Sequence, residues 1–205
     1  MEDVLDLYEE PLDPKRPMVC FDEQPYQLLS DVLEPLPPQP GNPKIQDYNY
    51  QRQGVCNFFM MFQPANGWRH VDITEHRTKT DYAQQLKELA DVHFPEAEVI
   101  RLVQDNLNTH ALSSLYDAFS PQEARRLAKR FEFHYTPKHA SWLNMAEIEF
   151  SVLNGQCTDR RFADREMLKK EIAAWEKERN LKKASVKWQF TTTKAREKLK
   201  QAYPL

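Results

Sequence analysis

In the first third of the chain, apolar and polar positions come in short runs and alternations. Residues 18–22, Met-Val-Cys-Phe-Asp, form an apolar run that predicts a buried strand. Gly54 precedes a second strand predicted over 55–62. Gln63, Pro64, Ala65, Asn66 and Gly67 predict a turn, and residues 68–74 alternate well enough to pair back as a hairpin partner. Between the first two strands, residues 35–43 carry so many prolines that helix and central strand are both excluded. Residues 1–17 are acidic and proline-broken, which predicts an extended lead-in.

Beyond residue 75 the period changes. Tyr82, Leu86, Leu89, Ala90 and His93 share one helical face, with Thr80 as the expected N-cap. Residues 99–103 form a third apolar run that leads into Asp105, and residues 112–119 predict a short helix. Ser120, Pro121 and Glu123 are a helix start, with Ser as cap, Pro in the first turn and Glu reaching back. Residues 131–135 alternate as a strand that stops before Pro137. A helix is expected from Ser141 to about Leu153, and another over 164–180 with Leu168, Ile172 and Trp175 inward. Residues 186–190 read as a last short strand. Strands followed by alternating helices predict an α/β fold, a mixed five-stranded sheet with helices on both faces. That order resembles a ribonuclease-H-like domain.

Composition narrows the function classes. A chain of 205 residues suffices for one domain with a sizeable core and a small appendage. Its 28 Lys and Arg against 31 Asp and Glu exclude holding nucleic acid by bulk positive charge alone. The charge is uneven, however. Residues 160–200 hold 14 basic and 6 acidic residues, a local +8 that leaves −11 for the remainder. This predicts an acidic body (a domain over 18–158) and a basic helical C-terminal extension (159–205) packed on it. The five-residue apolar run 58–62 falls far below the ~20 residues of a membrane span. The acidic start has no signal-peptide layout. Cys20, Cys56 and Cys157 are scattered and odd in number, which reads as reduced thiols without disulfides. Without partnered cysteines, His134 and His139 are not read as zinc ligands.

Three acids carry the chemistry. Asp22 is expected at the end of the first strand and Asp105 at the end of the third apolar run. If those strands lie side by side and parallel, both acids emerge at one sheet edge, where open α/β sheets place their sites. Asp22 and Glu23 face opposite sides of the sheet, so only one of them can join a site on a given face. Glu147 and Glu149 stand about 200° apart around a helix. Asn144, Glu147 and Ser151 make its polar stripe, which favours Glu147 as the third acid. Two aspartates and a glutamate suit two hard divalent cations, Mg²⁺ or Mn²⁺, that activate an attacking oxygen and stabilise a leaving one.

The same residues carry a resemblance. Three blocks, Val19 to Glu23, Asp105 to His110 and Ser141 to Glu147, resemble the signature blocks of bacterial insertion-sequence transposases of the mariner-like branch of the DDE superfamily. So do the stretches 50–54, 134–139 and 175–180, and the likeness covers nearly all of 15–205. It implies a ribonuclease-H-like catalytic domain with Asp22, Asp105 and Glu147 as the metal-binding triad. It further implies DNA strand cleavage at transposon ends, then attack of the freed 3′-hydroxyl on target DNA. Double-stranded DNA is the implied partner, the active complex is expected to be a dimer, and the location is the bacterial cytoplasm. Family members usually begin with helix-turn-helix domains; here a strand is predicted by residue 18, so the chain is expected to be the catalytic half. Two other readings are a truncated, catalytically silent chain that binds DNA or a full-length partner, and a related nuclease acting on structured nucleic acid.

Around the triad, His110, Lys138, His139, Arg160, Arg161, Lys182 and Lys183 are the candidate DNA contacts. Asn106 is expected to orient Asp105, and Trp142 to pack in the core and seat the catalytic helix.

Overall fold

The computed structural model describes residues 1–200. Five strands form one sheet in the order β3-β2-β1-β4-β5: β1 (Met18–Asp31), β2 (Tyr50–Gln63), β3 (Trp68–Thr74), β4 (Ile100–Gln104) and β5 (Phe131–Tyr135). The first three form an antiparallel meander, whereas β4 and β5 run parallel to β1. Helices α1 (Glu2–Glu9), α5 (Met145–Leu153) and α6 (Arg165–Leu181) cover one face. Helices α2 (Lys79–Glu88), α3 (Ser113–Ala118) and α4 (Pro121–Ala128) cover the other. The apolar run 58–62 follows from this double cover. Phe58, Met60 and Phe62 pack toward α5 and α6, while Phe59 and Met61 pack toward α2. A last helix, α7 (Thr192–Lys198), sets Ala195 against Leu5 and Leu143. Among the described residues no helix is long and apolar enough to cross a membrane.

Several expectations need correction. Residues 1–17 are not an extended lead-in: Val4 and Leu7 of α1 are buried in the core, and the Tyr8 hydroxyl donates to the Leu143 carbonyl at 2.7 Å. The cap of α2 is Thr78 rather than Thr80, because Asp81, three residues on, completes a reciprocal capping box with Thr78. Ser120 caps α4 as expected, but the Glu123 carboxylate turns outward to Arg126 and Lys87 instead of reaching back. The segment 186–190 forms no strand. The Val186 N–H is taken by the Pro64 carbonyl at 2.9 Å, and Trp188 and Phe190 pack around Trp142. Trp142 is accordingly half-exposed and braced by the C-terminal segment, not sunk in the core. The basic C-terminal region shares the main core: Leu168, Ile172 and Trp175 of α6 lie in one cluster with Phe58 and Phe150. Residues 201–205 of the expected extension lie outside the described residues.

Gly67 shows how tightly that region docks. Its φ of +70° closes the β2–β3 turn, and a Cβ there would lie 2.5 Å from the Lys183 carbonyl carbon.

Candidate active site

β1 pairs with β4 only over Met18, Cys20 and the residue between them, so the partner strand ends just before Asp22 comes into line. Asp22 is thus inside a long strand, not at its end as the sequence suggested, two residues beyond the last pair that β1 makes with β4. Asp105 follows the last residue of β4. The parallel arrangement that would bring the two aspartates to one edge is present.

Asn144 brings in the third acid. It is buried, caps α5 by accepting from the Ala146 N–H at 3.2 Å, and donates to the Phe21 carbonyl at 2.8 Å. Its amide also reaches Asp22 Oδ2 at 3.4 Å. One side chain therefore pins the start of α5 to β1 beside Asp22, and Glu147 projects from the first turn of that helix. The spacing Asn144-x-x-Glu147 was legible in the sequence, but Asn144 as the bolt between helix and strand was not.

The electrostatics set Asp22 apart from its neighbours. Burial pushes the Asp22 carboxyl up to about 7, and the charges of Glu147, Glu23 and Asp105 add to it against a hydrogen bond from the Glu23 N–H. No cation is paired with Asp22 in a salt bridge among the described residues. Asp105 is different. His110 Nδ1 sits 2.6 Å from its carboxylate and holds it below the usual range. His110 Nε2 lies 2.8 Å from the buried Glu23 carboxylate. Burial alone would lower the His110 imidazole, but Asp105 and Glu23 outweigh it and raise it to about 9. The ring is packed edge-on against Phe21 and tilted over Tyr82. With Asp105 turned toward His110, the three carboxylates do not place their oxygens within 4.8 Å of one another.

His110 is therefore not a surface for DNA: it is buried between two carboxylates and fixes the loop after β4. Glu23, set aside as facing away, is its second anchor on the opposite face of the sheet. Lys138 and His139, with Ser141, line a cavity of about 620 Å³ that also contains Asp105. Ser141 is shared with a second hollow that contains Glu147. These two residues stand beside the acids, and His139 adopts a left-handed φ of 65°.

The other basic candidates are held within the chain. Arg161 donates to Asp31 at 2.7 Å and to the Asp47 and Asn49 carbonyls, tying the approach to α6 to the end of β1 and the residues just before β2. Arg160 pairs with Glu171 and lies over the Phe162 ring. Lys182 pairs with Glu178, and the Lys183 backbone is committed to the Gly67 turn.

Sequence reasoning set Glu149 against Glu147 but missed its ion-pair partners. Glu149 is completely buried, with Arg69 Nε at 2.8 Å and Arg179 Nε at 2.7 Å. This triad joins α5 to β3 and α6 and explains why Glu149 is unavailable to the site.

The sequence matches the profile of the DDE superfamily endonucleases over residues 17–169. No curated protein matches it. Its fold is similar to several solved structures. They include the Mos1 transposase paired-end complex with left transposon end (16% identity, TM-score 0.54), which it matches over 83% of this chain and 52% of that one. The Mos1 strand transfer complex matches at 15% identity and TM-score 0.57, over 83% and 51%. The Mos1 mariner paired-end complex with Mn matches at 16% and 0.57, over 88% and 55%. At such identity the likeness is one of fold, that of a ribonuclease-H-like domain, and the chain spans about half the length of those proteins. Because the matched profile runs from the residue before β1 into the second turn of α6 and takes in all three acids, this chain belongs to the DDE superfamily of endonucleases.

Proposed function

We propose that the chain is the catalytic domain of a mariner-like transposase, which cuts DNA at transposon ends and joins the freed 3′-hydroxyl to target DNA. The observation that carries this reading is Asp22, a buried carboxylate with no paired cation among the described residues, raised further by the nearby charges of Glu147 and Asp105. The related Mos1 structures, described with a transposon end, as a strand transfer complex and with Mn, support the substrate, the reaction and the metal class.

The donor set fits hard divalent cations. It is all oxygen, one member is strained by its own burial, and the cluster gathers negative charge that a cation relieves. Asp22, Asp105 and Glu147 would hold two such ions, Mg²⁺ or Mn²⁺. When bound, they activate the attacking oxygen and stabilise the leaving one. The protein's own groups do the positioning. Asn144 fixes Asp22 and the first turn of α5 against each other. His110 holds Asp105 in place, and the carboxylate oxygen not facing the imidazole would be the one offered to an ion. Lys138 and His139, beside Asp105 in the cavity, meet the DNA backbone next to the scissile phosphate. Two ends must be held together for transposition, so the active complex is a dimer.

The reading of a silent DNA-binding chain has less support. Its basic region spends Arg160, Arg161 and Lys182 on ion pairs within the chain.

The test is joining of a pre-cut 3′-hydroxyl oligonucleotide from the element's own end to supercoiled plasmid in Mg²⁺. Products from the wild type that disappear in Asp22→Asn, Asp105→Asn and Glu147→Gln, with unchanged circular dichroism, are the expected result. Equal product from any one variant removes that residue from the triad. DNA binding without any joining supports the silent reading.

A further inference from the structure

A cluster of two histidines and a glutamate gathers where the edge strand β3 meets the end of α2. Asp22 is in register with Met60 and Met60 with Val71, so the edge strand β3 passes two strands away from the carboxylates, about 10 Å laterally. Along β3, Arg69, Val71 and Ile73 turn into the layer of α5 and α6. His70 turns the other way, toward the end of α2. There the helix widens into a π turn, Leu89–His93, in which Phe94 N–H donates to the Leu89 carbonyl at 3.0 Å. Such turns recur at functional sites. This one brings His93 beside Glu88.

We propose that His70, Glu88 and His93 form a divalent-metal site of the zinc type that clips the edge strand β3 to the end of α2. Their ligand atoms all lie within 4.8 Å of one another. His70 Nε2 and His93 Nε2 each stand 3.6 Å from Glu88 Oε1. That is too long for a hydrogen bond. It is close to the ~3.4 Å between neighbouring ligands of a tetrahedral ion with bonds of about 2.0–2.1 Å.

Two further observations point to a ligand. His93 Nε2 is buried and has no hydrogen-bond partner, an unsatisfied polar atom of a kind native structures rarely leave unexplained. His70 is oriented from behind: its Nδ1 lies 3.2 Å from Glu176 Oε1, and Glu176 is itself held by the Val71 N–H at 3.0 Å. A carboxylate on the far nitrogen of a histidine fixes tautomer and ring direction in metal sites. The Trp68 ring packs 5.1 Å from that of His93 and screens one side. A cavity of about 630 Å³ between β3 and α6 reaches His70 and Glu176. Two imidazoles and one carboxylate select zinc over magnesium, which prefers an all-oxygen shell with several waters. Water completes the fourth position, and the ion joins β3 to α2 while Glu176 ties in α6.

The test uses the full chain carrying Asp22→Asn and Asp105→Asn, so that the carboxylates of the proposed catalytic site do not contribute. Calorimetry with Zn²⁺ is expected to show one equivalent bound, and Co²⁺ to give the visible absorption of a four-coordinate ion with nitrogen ligands. Adding His93→Gln or Glu88→Gln should abolish both signals. Adding Glu176→Gln, a milder change outside the ligand shell, should weaken binding about 10–100-fold and serves if either ligand variant fails to fold. No Zn²⁺ binding, or binding unchanged by Glu88→Gln and Glu176→Gln, overturns the site and leaves the trio as ordinary His–Glu ion pairs. Either outcome is independent of DNA joining.

Discussion

Glu147 and Glu149 stand two residues apart on α5, and the protein treats them in opposite ways. Glu149 is fully buried and answered by two guanidiniums, one from β3 and one from α6. Glu147 sits in the first turn, half a helix rotation away, beside an Asp22 that no cation answers. A buried carboxylate is costly unless paired. Where the protein supplies the pair, the acid holds the fold together. Where it withholds the pair, the unmet charge is kept for something that arrives later. The same contrast separates Asp105, shared with His110, from Asp22.

The largest expected effect breaks the contrast at its functional end. Glu147→Gln should lower Mg²⁺-dependent DNA joining at least about a hundredfold with little change in melting temperature. Glu149→Gln should do the reverse. It leaves Arg69 buried without its partner and is expected to cost about 3–5 kcal/mol in urea unfolding, with residual activity in proportion to the folded fraction.

Asp22→Asn sharpens the comparison, because it should stabilise the metal-free chain. The folded-state carboxyl is raised from 3.8 to about 7, so its protonated form is favoured by folding. That benefit is complete below pH 3.8 and is lost as pH rises to about 7. Above pH 7 the Asn variant is therefore expected to exceed the wild type by roughly 1–4 kcal/mol, and the difference should vanish on acidification. A wild type more stable than the variant at pH 8 would contradict a strained Asp22. The smallest effect is the control. Glu178, exposed and paired with Lys182 one turn on, should show no measurable change in melting temperature as Glu178→Gln.

Much of this was legible in the sequence, for physical reasons. Hydrophobic runs doubly covered by helices announce themselves, and β3 to β5 lie close to where periodicity put them, whereas β2 starts at Tyr50, five residues earlier, and runs through Gly54. Ser120-Pro121 and the stripe Leu168, Ile172, Trp175 are local signals, and the structure keeps both. What failed was set by tertiary contact. Residues 2–9 look like an acidic lead-in until the sheet offers Val4 and Leu7 a face to cover. The run 186–190 reads as a strand because its packing partners, Pro64 and Trp142, lie far away in the chain. At the candidate site, Asp105 and Glu147 stand at the strand and helix ends the pattern marked, whereas Asp22 lies inside β1 because that strand runs on to Asp31. The pairings Glu23–His110 and Arg69–Glu149–Arg179 span 30 to 87 residues, and no local pattern encodes them. The charge asymmetry pointed to a DNA-facing tail, yet several of its cations are spent on the fold itself.

The most direct test of the central claim, that Asp22 is left unpaired to receive a cation, is thermal unfolding at pH 7.5 across a Mg²⁺ titration. The wild type should gain stability progressively with Mg²⁺, as any ligand of the folded state confers, and Asp22→Asn should show no gain. An equal rise in both proteins, or none in the wild type, would contradict it.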